Sequence, residues 1–113
     1  MILFCYLLMN LIDIIVETTQ ALVANPQDVE ACKKRAFALS EMGQYKEALE
    51  DLNTLIDTLN VQDDANLYSL RGAIRMKLED KKGALDDMRK AMQLNPELLR
   101  LLGGHFTSDT PKS

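Results

Sequence analysis

Apolar residues recur at intervals of three and four along almost the whole chain, and the places where that rhythm breaks divide it into helices. Among the first sixteen residues, MILFCYLLMNLIDIIV, Asn10 and Asp13 alone are polar. Asn10, Asp13, Glu17 and Gln20 step by three, four and three, which sets them in one narrow stripe on an otherwise apolar helix over 2–23. Such a helix calls for burial, against its own chain or another copy of it. The ANPQD segment at 24–28 breaks it, because Pro26 drives the preceding residue out of the α region and Asp28 is suited to cap a new helix.

After the break, Val29, Cys32, Ala36 and Leu39 mark a helix of about four turns, which Gly43 ends. A second helix carries Tyr45, Ala48, Leu49, Leu52, Leu55, Ile56 and Leu59 as a wide apolar stripe, with Lys46, Glu47, Glu50 and Asp57 left to water. NVQDD at 60–64 lacks apolar periodicity and reads as a loop. Leu67, Leu70, Ile74 and Leu78 then define a third helix of the two-hairpin set, and LEDKK is a turn in which Asp80 can cap the fourth. Ala84, Leu85, Met88, Ala91 and Met92 give the stripe of that helix, and Asn95-Pro96 stops it. A short helix over 97–104, with Leu98, Leu101 and Leu102 on one side, ends at Gly103-Gly104 and is suited to cap the stack; 105–113 reads as a disordered tail. The expected fold is all-α: two antiparallel helix hairpins between an apolar N-terminal helix and a short C-terminal one.

Composition narrows the functional classes. At 113 residues and 47% apolar content the chain is long enough for one modest core, and 5% aromatics with no Trp favours helix over sheet. A net charge of −4 argues against a nucleic-acid footprint and for a neutral or basic partner surface. Cys5 and Cys32 make neither a disulfide framework nor a zinc site and read as two buried thiols, and His105 reads as exposed in the tail. No Lys or Arg precedes Lys33, which weakens a signal peptide. The interruptions at Asn10, Asp13 and Glu17 weaken a membrane span, which needs about 20 apolar residues, and leave a short membrane-associated segment as an alternative. A cytoplasmic setting is expected on these grounds. No phosphate-binding glycine loop, metal cluster or Ser-His or Cys-His pairing appears, so neither an enzyme nor a bound cofactor is expected.

EALEDLNTLI aligns with GALDDMRKAM at an offset of 36, and CKKRAFAL with YSLRGAIR at the same offset, so one supersecondary unit occurs twice. Over 65–97 this unit resembles the tetratricopeptide repeat (TPR). Tyr68 fills the aromatic slot, Gly72 the close-approach glycine, Ala84 and Ala91 the small slots, Met88 the large apolar slot and Pro96 the closing proline. Residues 29–62 resemble it more loosely, with Cys32, Ala36, Leu39, Ala48 and Leu52 in the corresponding slots. Leu55 is large where the pattern has a small residue, Asn60 replaces the proline, and Arg75 and Lys81 stand where aromatics are usual. The offset exceeds the family's repeat of about 34 residues, most simply by two residues in the NVQDD loop. Arg35 and Arg71 occupy the leucine slot, each with an Asp sixteen residues later, and are expected to pair across the hairpin with Asp51 and Asp87 instead of forming a basic groove. Residues 14–26, within an N-terminal region of 1–28, resemble the second helix of a preceding unit.

The resemblance implies a stack of hairpins in an α-α superhelix whose concave groove is lined by the first helix of each unit. It places Glu30, Lys33, Phe37, Ser40 and Glu41 on the groove side of one unit, and Asn66, Ser69, Ala73, Met76 and Lys77 on that of the next. Phe37 and Met76 are then apolar anchors flanked by charge, which suits a peptide or partner helix. One use of the family, gripping the C-terminal carboxylate of large heat-shock chaperones, needs paired Lys and Asn. Here Phe37 stands where an Asn is expected, and Ser69 and Leu70 supply no second one. The expected function is a protein-interaction scaffold; the alternatives are a homodimer assembled through Leu7, Leu8 and Leu11, or a fragment of a longer array.

Overall fold

In the computed structural model of the chain, residues 2–97 are described, with side chains from residue 7 onward. Residues 98–104 of the expected helix at 97–104, the tail with His105 and the side chain of Cys5 lie outside these. Among the described residues five α-helices follow one another: α1 (Ile2–Ala24), α2 (Val29–Glu41), α3 (Tyr45–Asn53), α4 (Ala65–Lys77) and α5 (Lys81–Leu94). A π-helical turn, Thr54–Thr58, continues α3. The chain divides into two compact units, Met1–Gln62 and Asp63–Ser113.

In the first unit α1 runs unbroken and packs on α2, which packs in turn on α3. Having two neighbours, α2 buries two rows of small side chains, Ala31 with Ala38 and Cys32 with Ala36. The sequence pattern showed only the second row. Asp28 caps α2, its Oδ1 accepting the Ala31 N–H at 3.1 Å, and Gly43 leaves the helix with φ +80°, a conformation open to glycine without strain. The stripe Asn10, Asp13, Glu17 and Gln20 is exposed, as its spacing requires. Its apolar neighbours are not all covered: within the unit Leu7, Met9, Ile12, Val16 and Val23 remain exposed. The Leu7–Ala24 segment is long and apolar enough to cross a membrane by length and composition alone.

The helix after Gly43 was expected to run uniformly through Leu59. Instead the Leu59 N–H reaches back five residues to the Thr54 carbonyl at 2.8 Å, and the last turn is π. Leu55 explains the widening. It occupies the slot that Ala91 fills in α5, is itself fully buried, and needs room that a tight α turn against α2 does not leave; α5, with Ala91, stays α throughout. The loop after this turn, 59–64, has six residues against four in 25–28, which accounts for the two extra residues of the repeat.

In the second unit α4 packs on α5 around Leu67, Ile74, Ala84 and Ala91, all at most 1% exposed. Gly72 sits where the helices cross: a Cβ there would lie 3.2 Å from the Ala84 carbonyl oxygen and 3.3 Å from the Asp87 Cβ. Asp64 caps α4 through the Asn66 N–H at 3.0 Å, and Asp80 caps α5 through the Gly83 N–H at 3.0 Å.

Candidate functional site

The buried polar groups of both hairpins are engaged with one another. Arg35 donates from Nε to Asp51 Oδ2 at 2.8 Å and from Nη2 to Oδ1 at 2.7 Å, a two-pronged bond between α2 and α3. Its Nη1 also donates to Thr19 Oγ1 at 3.2 Å, so one guanidinium ties α1, α2 and α3. Arg71 makes the same fork to Asp87 at 3.0 and 2.9 Å and lies 5.6 Å from the Tyr68 ring centroid, within cation–π range. Both arginines therefore face an Asp of their own hairpin and do not line a groove. Arg75, in a position the repeat pattern usually gives to an aromatic, adds a third bond to Asp87 at 2.9 Å.

On the surface Asp86 lies 3.7 Å from Arg89, whereas Asp51 turns inward to Arg35. Cys32 is buried, and its Sγ–H points at the Asp51 carbonyl oxygen at 3.5 Å. Burial, and then the nearby Asp51 charge, push its thiol up to about 11, so it is a protonated packing group at neutral pH. Among the described residues no cluster of three or more His, Cys, Asp or Glu side chains is placed to hold a metal ion.

A cleft of about 790 Å³ opens between α1 and α2, within the first unit. Leu11, Ile14 and Ala21 line it from α1, and Ala31, Phe37 and Ala38 from α2. Of the five groove residues expected in this unit, Glu30, Lys33, Phe37 and Glu41 stand in its wall; Ser40 does not. Phe37 is 43% exposed, a large ring held open to solvent beside the apolar floor. In the second unit Asn66, Ala73, Met76 and Lys77 are exposed on one face of α4 and Ser69 is half-buried there. The α1 wall was not anticipated as part of a binding surface, because its residues read from sequence as packing or assembly positions. Leu11 in particular is 9% exposed and turned toward α2, whereas Leu7 is exposed and Leu8 half-buried. Thr18, also in the wall, is buried because its Oγ1 donates to the Ile14 carbonyl at 2.6 Å, a self-satisfied hydroxyl no spacing rule flags.

No protein-family model matches the chain. It is 32% identical over 79 residues, 70% of its length, to human tetratricopeptide repeat protein 13. The chain belongs to the tetratricopeptide repeat family. A second TPR relative, Hsp70-Hsp90 organizing protein 2 of Arabidopsis thaliana, is 28% identical over 88 residues, 76% of this chain. The chain spans only 9% and 15% of these relatives' lengths. Its fold matches the crystal structure of MamA, also TPR-like, with a TM-score of 0.69 at 26% identity, covering 73% of this chain and 47% of that one.

Proposed function

We propose that this TPR chain is a non-catalytic protein-interaction module whose principal contact surface is the cleft between α1 and α2. The observation that carries this is the convergence of an apolar floor, an exposed Phe37 and three charged groove residues, Glu30, Lys33 and Glu41, in one open space of ligand size. The TPR relatives support a scaffold role, and one of them is named an organizing protein for two chaperones. The face of α4 with Asn66, Ser69, Ala73, Met76 and Lys77 is the corresponding surface of the second unit. A cytoplasmic setting, which keeps Cys32 reduced, accords with this reading. Affinity capture with identification of bound proteins, run beside Phe37→Ala and Met76→Ala, tests it: the same partners should be lost from the variants while circular dichroism stays unchanged. Retention of every partner by both variants would remove the cleft and the α4 face as the contact surfaces.

A second reading, self-association, is favoured by the exposure of Met9 at 63%, Val16 at 49% and Val23 at 80% on one side of α1. Sedimentation equilibrium distinguishes it. A dimer that Leu7→Ser and Val16→Ser convert to monomer supports it, whereas a wild-type monomer at micromolar concentration ends it. Leu11 is unsuited to this test because its burial against α2 makes its replacement a folding defect.

A further inference from the structure

The charge around the α1–α2 cleft is uneven. Four carboxylates, Glu17, Asp28, Glu30 and Glu41, stand in its wall with two ammonium groups, Lys33 and Lys34. Asp28 is occupied in capping α2, and Lys33 is already engaged within the chain. Glu17, Glu30 and Glu41 are exposed, facing water with Lys34. Glu30 lies in the first turn of α2 and Glu41 is its last residue, so the two carboxylates mark opposite ends of the cleft, about 16 Å apart along the helix axis. Between them the α2 wall carries Ala31, Phe37 and Ala38 beside the stems of Lys33 and Lys34, with Leu11 and Ile14 opposite. The trough between two neighbouring helices is itself shaped to receive a third by ridge-in-groove packing.

Building on the contact surface proposed above, we infer that the cleft takes a basic amphipathic helix from a partner protein. Its apolar stripe enters between α1 and α2 against Phe37, Leu11 and Ile14. Lys or Arg side chains about three turns apart meet Glu30 and Glu41, and Glu17 borders the α1 side. An acidic helix of the same apolar pattern would bring its carboxylates against these three and is rejected.

The test uses the full chain and two labelled synthetic helical peptides with identical Leu positions, one carrying Lys at its polar positions and the other Glu. The Lys peptide should bind at least about tenfold more tightly at low salt and gain helicity on binding. Glu30→Lys with Glu41→Lys should weaken it by about tenfold, whereas the same change in net charge at Glu50 and Asp86, outside the cleft wall, should weaken it by less than about twofold. Equal affinity for the two peptides, equal loss in both double variants, or no binding of the Lys peptide overturns the inference. A Glu peptide that binds and is released by Phe37→Ala would overturn the basic preference while keeping the cleft as the contact surface. Binding of either peptide that ignores Phe37→Ala would remove both.

Discussion

Asp87 accepts from Arg71 Nε and Nη2 and from Arg75 Nη1 while only 3% of its own surface is exposed. Removing the carboxylate leaves the Arg71 charge without that compensation in a site where its side chain is 10% exposed. Asp87→Ala should therefore cost about 3–5 kcal/mol in urea denaturation. Asp51→Ala should cost less, because Arg35 is 26% exposed and its guanidinium can turn to water. Arg71→Met with Asp87→Leu should recover much of the loss, since an apolar pair carries no desolvation cost. Backbone strain sits at Glu79, with φ +67° at the position where the first hairpin has Gly43. Glu79→Gly should raise stability by about 1 kcal/mol, read as a higher denaturation midpoint at unchanged slope. Cys32 sets a pH limit. Its thiol ionises near 9 when unfolded and about 11 when folded, so between those values the unfolded state binds fewer protons and stability falls as pH rises. Cys32→Ala should flatten that part of the stability–pH curve.

At the level of elements, the helix ends were legible because they depend on local chemistry: Asp28 and Asp80 cap the helices their positions suggested, and Gly43 ends α2. The crossed ion pairs were legible too, since an arginine in a packing slot has few alternatives to a carboxylate across the hairpin. The π turn was not, because it arises from how Leu55 meets α2 in three dimensions and leaves no mark on the period of the sequence. That origin can be tested by comparison. Leu52 and Leu55 are both fully buried, but only Leu55 lies in the π turn. Leu55→Ala lets the turn tighten to α and partly close the space, so it should cost about 2 kcal/mol, the low end of the Leu→Ala range, with Leu52→Ala nearer about 4 kcal/mol. Equal losses in thermal or urea unfolding would show that the π turn has another cause.

For the whole molecule, each hairpin carries its own crossed ion pair and its own small-residue seam, so each unit of the chain contains the interactions that define its fold. The cleft was half legible. The α2 residues follow from repeat spacing, but the α1 wall emerges only when Leu11, Ile14 and Ala21 are seen beside Phe37 across open space. α1 packs chiefly on α2 among the described helices of its unit, with Leu11 and Thr18 buried and Thr19 bonded to Arg35. A helix lying in the cleft gives α1 a further neighbour, and by linkage its binding energy becomes folding energy for that element. At a ligand concentration a hundred times the Kd, the added protection amounts to about 2.7 kcal/mol. It should appear in hydrogen exchange as a slowing of α1 amides roughly a hundredfold, leaving α4 and α5 unchanged. Occupancy of the cleft can thus be followed as the local stability of the helix that forms its outer wall.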